Sequence, residues 1–285
     1  MKTLLLCLLF ATMPALAAPV VQVNALQTPA WVERAGVRQP LAAGQALNAG
    51  DKVLTGKDAR VLLKLAEGSL VRIGPNAQLD INSLPQPKTG LFNAAFDMLR
   101  GAFRFSTNAE AKHRSRDISF KIASVTIGIR GTHVFGKAAP DKDIVCLLEG
   151  KIDVAHGEQN FVMDGEKLFY IAPKDKPPTP VGPVPAAKLD EWTQETEIQL
   201  NSGAQHAGGK WRVYVGRFDN QQDALGLYDQ LRNAGYNARI APLSRTSGTV
   251  YRVRLTDLPN RGEAETLAQK LATEFQLAAA PRVSR

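Results

Sequence analysis

Three short stretches near the C-terminal end carry polar and basic side chains at alternate positions. They are Arg212 and Tyr214; Asn237 and Arg239; and Arg252 and Arg254, with the apolar Val250 in phase with them. Guanidinium forks match the paired oxygens of carboxylates and phosphates, and a tyrosine ring offers a flat surface to a sugar or a base. If the three stretches are strands, alternation turns all of these side chains to one face. The chemistry they suit is recognition of an anionic, ring-bearing ligand, not bond breaking.

Bond-breaking chemistry has no comparable group of residues. The four histidines, His113, His133, His156 and His206, have no metal-ligand spacing and no accompanying Cys or carboxylate cluster. Ser69, Ser106 and Thr132 lack a nucleophile-elbow context. Glu149 and Glu166 could pose as the carboxylate pair of a glycan hydrolase, but both sit beside Gly at expected hairpin corners. The glycines lie at strand corners and not before a helix, so no phosphate loop is expected. Lys112-His113-Arg114-Ser115-Arg116 reads as a solvated basic loop that could attract an anionic polymer. The expectation is a protein that is not an enzyme and uses neither metal nor cofactor.

The elements that must position the alternating arginines can be read from periodicity. Trp211 to Phe218 is strand-like and breaks at Asp219-Asn220. Ala224, Leu227, Tyr228 and Leu231 recur at helical spacing up to Gly235. A strand follows around Ala238 and Ile240, then a polar turn from Ser244 to Gly248, then an alternating strand from Val250 to Leu255. Ala264, Leu267, Ala268 and Leu271 mark a second helix, and Ala280 to Val283 a last short strand. The order is β-α-β-β-α-β, a four-stranded antiparallel sheet with two helices on one face. Those helices must cover Val213, Val215, Ala238, Ile240, Tyr251, Val253 and Leu255, which leaves the arginine face open.

At these residues the segment resembles a SPOR domain. The likeness rests on the opening Trp211-Arg212-Val213-Tyr214-Val215-Gly216-Arg217-Phe218, the helix with Ala224 and Leu231, Gly235-Tyr236, and Tyr251-Arg252-Val253-Arg254-Leu255. It implies binding of peptidoglycan glycan strands on the open sheet face, especially strands stripped of stem peptides at the division septum. The family often has Gln at Tyr214, a small polar residue at Arg217 and Gly-Pro at Thr256-Asp257. Arg252 matches a position where it often has a functional arginine. The expected peptidoglycan-binding residues are Arg212, Tyr214, Arg217, Arg239, Val250, Arg252 and Arg254.

The start of the chain points to export. Lys2, the apolar run Leu4 to Phe10 and the small residues of Ala15-Leu16-Ala17-Ala18 read as a signal peptide over residues 1–18. No later stretch is apolar enough for a transmembrane helix. The expected location is the periplasm of a Gram-negative bacterium, with the septum as the finer expectation. The mature chain keeps one cysteine, Cys146, inside the apolar run Ile144 to Leu148, so a core role is expected and an internal disulfide is not. The net charge of +8 suits any anionic partner. Nucleic acid is not expected, because base stacking needs aromatics on the central strands and Tyr251 points to the helices.

Residues 19–172 read as an all-β domain, with short strands separated by Gly, Asp and Asn turns. A hairpin is expected around Arg100-Gly101. Leu65 to Val71, Leu147 to Val154 and Met163 to Leu168 share a hairpin-like outline, which suggests a roll or sandwich of stacked hairpins. This region resembles the FecR-like domain. The matching residues are Leu47 to Gly56, Glu67-Gly68-Ser69, Gly74-Pro75-Asn76, Thr126 to Phe135, Leu148 to Ile152 and Asp164-Gly165-Glu166. The resemblance implies a periplasmic β-rich module. Arg130, between Gly128 and Gly131, reads as a structural pin in a β-bulge.

Residues 173–208 are expected to be a Pro-rich linker with a short helix over about 186–200, Trp192 packing back on the β domain, and a flexible stretch from Ser202 to Gly209. Residues 209–285 form the second domain. The function expected is a non-enzymatic periplasmic protein that binds peptidoglycan glycan strands, with the FecR-like domain as scaffold or as the site for an unidentified envelope protein. The alternative is an envelope signalling regulator acting through the FecR-like domain on a membrane partner.

Overall fold

The structure, a computed structural model, describes residues 19–85, 92–108, 116–129, 131–246 and 248–285. The expected signal peptide, Arg130 and nearly all of the basic run 112–116 lie outside the described residues. Among the described residues no helix is long and apolar enough to cross a membrane.

The first strands are β1 (Val21–Gln27), β2 (Ala30–Arg34), β3 (Val37–Pro40), β4 (Ala46–Leu47), β5 (Lys52–Thr55), β6 (Arg60–Leu65), β7 (Leu70–Ile73), β8 (Gln78–Ser83) and β9 (Phe92–Ser106). Then come β10 (Arg116–Ile122), β11 (Val125–Ile129), β12 (His133–Ala138), β13 (Lys142–Glu149), β14 (Lys151–His156), β15 (Gln159–Asp164) and β16 (Leu168–Pro173). A connecting region holds β17 (Gly182–Pro183), α1 (Ala186–Thr196) and β18 (Gln205–His206). The last domain is β19 (Trp211–Phe218), α2 (Gln221–Asn233), β20 (Arg239–Arg245), β21 (Gly248–Leu258), α3 (Arg261–Glu274) and β22 (Arg282–Ser284).

The N-terminal domain is a β-sandwich whose two sheets share one strand. The first half of β9 pairs with β8 and β10, and its second half with β7 and β12. The hairpin expected around Arg100-Gly101 does not form. Gly101 has φ +84°, and there the strand bends from one sheet into the other without reversing. A Cβ at Gly101 would stand 2.5 Å from that of Ala77, so the bend is also a close approach that glycine permits. Two of the three hairpin-like motifs are likewise corners: β13 pairs with β12 and β16, while β14 pairs with β11 and β15. The Leu65 to Val71 motif is a true hairpin, β6 with β7.

Alternation along these strands fills the space between the sheets. Phe120 lies 4.3 Å from Phe103 and 4.9 Å from Phe96 between ring centroids, both stacked. Each such ring, removed from water, contributes about 1.5–3 kcal/mol. The FecR-like motif residues serve this scaffold. Asp51, 1% exposed, takes two hydrogen bonds from the Arg34 guanidinium, at 2.7 and 2.6 Å, and a third from the Asn48 N–H. Thr55 Oγ1 donates to Gly74 O at 2.7 Å and accepts from Ala77 N at 2.8 Å, which pins the Gly74-Pro75-Asn76 turn.

A smaller apolar cluster lies under α1: Ala102, Phe135, Ile144, Cys146 and Trp192. Trp192 stacks on Phe135 of the β domain at 5.0 Å. Cys146 is fully buried there, and burial pushes its thiol up to about 12. The stretch from Ser202 to Gly209 differs from its expectation as a flexible segment. Gln205 and His206 add to the edge of β1 as an antiparallel strand opposite Leu26 and Ala25.

The C-terminal domain has the expected β-α-β-β-α-β order and an antiparallel sheet in the order β20-β21-β19-β22. Asn220 caps α2 by accepting from Asp223 N, Asn260 caps α3 by accepting from Glu263 N, and Gly235, at φ +88°, follows the end of α2. Val213, Val215, Val253 and Leu255 meet Leu231, Leu267 and Leu271 in its core.

Candidate functional site

The site is the sheet face opposite the helices, and cross-strand register assembles it in rows. Arg239 pairs with Arg254, Arg254 with Tyr214, and Tyr214 with Arg282, so one row crosses all four strands. The next row sets Ala241 beside Arg252 and Arg252 beside Arg217. Arg212 stands opposite Ser284 at the other end of β19 and donates to Arg285 O at 3.2 Å.

Strict alternation from Tyr214 would turn Arg217 toward the helices. A bulge between Tyr214 and Gly216 re-phases β19, so that Gly216 meets the helix side and Arg217 falls in register with Arg252. A Cβ on Gly216 would lie 2.8 Å from Leu227, so glycine is what lets the re-phased strand sit on α2. Arg217 thereby joins the other arginines.

Besides Arg212, six arginines gather on or beside this face: Arg217, Arg239, Arg245, Arg252, Arg254 and Arg282. Among the described residues none of them forms an ion pair with a carboxylate. The Nε atoms of Arg252 and Arg254 are buried without a protein acceptor. Arg252 stands over the Tyr214 ring at 5.1 Å. Partial burial alone would raise the Tyr214 pKa. The neighbouring Arg254 guanidinium, the charge of Arg252 and the Ser284 hydroxyl, all of which favour the phenolate, outweigh it, and the net shift is downward. A cleft of about 400 Å³ opens beside Tyr214, lined also by Arg217, Arg245, Arg252, Arg282 and the segment 279–284.

Two expected residues contribute differently. Val250 shares the arginine face of β21, but it is paired with Leu243 and 5% exposed, so it offers little surface to a ligand. Asn237 precedes β20, is 9% exposed and accepts from Arg232 at 3.4 Å, away from the rows. Arg245 and Arg282 were missed by sequence reading. In sequence Arg245 falls inside the expected turn from Ser244 to Gly248, and Arg282 in a strand too short to show its phase. Among the described residues no group of three or more His, Cys, Asp or Glu could hold a metal ion.

Residues 207–280 match the SPOR domain family, and residues 51–153 match the family described as FecR protein. The chain joins a FecR-like domain to a C-terminal SPOR domain. A SPOR domain implies peptidoglycan binding, and SPOR domains occur in envelope and periplasmic proteins. Two crystal structures of "a putative anti-sigma factor from Parabacteroides distasonis ATCC 8503", at 1.65 and 2.50 Å, are also similar to this chain. Both have a TM-score of 0.41, at 12% and 13% identity, over 79% of this chain and 92% and 91% of theirs. A comparison with curated proteins returned no match.

Proposed function

We propose that the protein is a non-enzymatic periplasmic protein whose SPOR domain binds glycan strands through the arginine–tyrosine face, with preference for strands stripped of stem peptide. The observation that carries this reading is the row Arg239–Arg254–Tyr214–Arg282, with Arg217–Arg252 beside it and no carboxylate counter-ion among the described residues. Removing a stem peptide leaves the lactyl carboxylate of muramic acid free along the strand. Paired guanidinium groups suit those carboxylates, and Tyr214 suits a sugar ring between them. Such strands accumulate where the wall is cut during division, so the septum is the expected site of action. In this reading the FecR-like domain engages an envelope protein, and its FecR match also supports regulation of a membrane partner as the second reading.

The test is a titration of the ¹⁵N-labelled chain with soluble, peptide-free glycan fragments. The amides of residues 212–217, 252–254 and 282–284 are expected to shift. Shifts confined to α2 and α3, or none at saturating fragment, would sink the assignment of this face.

A further inference from the structure

The junction between the two domains is built from groups that a loose tether would not match. Glu263, in the first turn of α3, is 6% exposed. Its carboxylate accepts hydrogen bonds from the backbone N–H groups of Asn201 at 2.8 Å, Gly203 at 2.7 Å and Ala204 at 3.0 Å. Gly203 has φ +75°, and a Cβ there would lie 2.9 Å from Leu267, so the strip is pressed onto α3. One residue later, Gln205 belongs to both domains. Its backbone pairs with Leu26 in β1, and its side-chain amide donates to Thr256 O in β21 at 2.6 Å.

Direct contacts complete the seam. Lys270 Nζ donates to Thr28 O at 2.7 Å, and Ala30 N to Gly235 O at 3.3 Å. The Trp31 ring lies so close to Gly235 that a Cβ there would stand 2.6 Å from it. Further back, Glu195 binds Lys137 at 2.7 Å, and Glu197 binds Arg72 and Arg104. All the SPOR-side residues of the direct contacts follow α2 or lie on α3, the layer opposite the arginine face.

We propose that residues 195–209 are a fastening strip and that Glu263 is its latch. The two domains then move as one rigid body, with the helix layer of the SPOR domain docked on the FecR-like domain and the arginine face turned outward. Separation would strip the Glu263 carboxylate of three charge-assisted hydrogen bonds and leave three backbone donors to find new acceptors. The functional consequence is directional. A ligand on the arginine face and the FecR-like domain lie on opposite sides of the SPOR domain, so binding fixes which way the FecR-like domain points. The rigid docking stands without the glycan reading; the direction of display rests on it.

The test is ¹⁵N relaxation on the full mature chain, with hydrogen exchange on the same sample. A single rotational correlation time for residues 19–172 and 211–285 is expected, with slow exchange at Gly203 and Ala204. A distinctly shorter time for the SPOR amides would overturn the proposal. Glu263→Ala should release the SPOR domain to tumble as a body of its own size and should remove protection at Gly203 and Ala204, while the variant still pellets with sacculi. Unchanged exchange at those amides in the variant would overturn the latch. If Glu263→Ala does not fold, the wild-type relaxation result still decides for or against one rigid body.

Discussion

Arg217 and Arg252 stand directly opposite each other across β19 and β21, two cations in register without a carboxylate partner among the described residues. Arg239 and Arg254 repeat the arrangement on the neighbouring strand pair. Like charges opposed in a sheet oppose its stability. On the glycan reading proposed above, they are anion-binding groups held in place before a ligand arrives.

Arg217→Gln should stabilise the protein by about 0.5 kcal/mol at low salt, since one opposed pair is removed. The gain should shrink as salt screens the charges. Urea denaturation of the full chain at low and high salt reads both. A destabilised variant would mean that Arg217 is held by contacts other than those described.

Tyr214 should titrate at lower pH than the other tyrosines that show a shift. Arg254, Arg252 and Ser284 favour its phenolate, whereas burial raises Tyr170 and Tyr236. A group with a lowered folded pKa contributes stability above its unfolded pKa, and that contribution is lost as pH falls through the folded value. The Tyr214 contribution is therefore confined to alkaline solution. Ultraviolet titration should show an early phenolate that Arg252→Ala moves upward and Tyr214→Phe removes.

His133 is the acid-side counterpart. Burial, then the charges of Arg104 and Arg72, lower its pKa from 6.5 to about 4, against the opposing pull of Glu149 and Glu197. Unfolding lets it take up a proton, so its contribution is full above about pH 6.5 and is lost as pH falls toward 4. Melting temperatures measured between these limits should fall with acidity. His133→Gln should flatten that slope relative to the wild type; an unchanged slope would assign the loss to carboxylates.

Gly101 tests the shared strand. Its φ of +84°, and the 2.5 Å that would separate an added Cβ from that of Ala77, leave no room for a methyl group. Gly101→Ala should cost more than about 1 kcal/mol, read from urea unfolding. A neutral outcome would mean that β9 can bend elsewhere.

Much of the SPOR domain was legible because its periods switch cleanly between strand and helix. The apolar set that faces the helices, from Val213 to Leu255, sits where alternation puts it. The bulge before Gly216 was not legible, because one inserted residue leaves no mark on an alternating pattern until a partner strand fixes the register. Gly101 misled for a related reason: a positive-φ glycine looks the same in sequence whether the chain reverses or only bends. The strip around Gln205 read as flexible because its Gly and polar residues carry no period. Its order comes from groups distant in sequence, above all Glu263.

Co-sedimentation of residues 19–285 with intact sacculi and with amidase-treated sacculi, beside the double variant Tyr214→Ala/Arg252→Ala, shows whether the arginine–tyrosine face holds the wall. The expected result is stronger pelleting on the stripped wall that the double variant loses while keeping its fold. Equal pelleting of wild type and variant on both walls would rule out this face and assign wall contact to another surface.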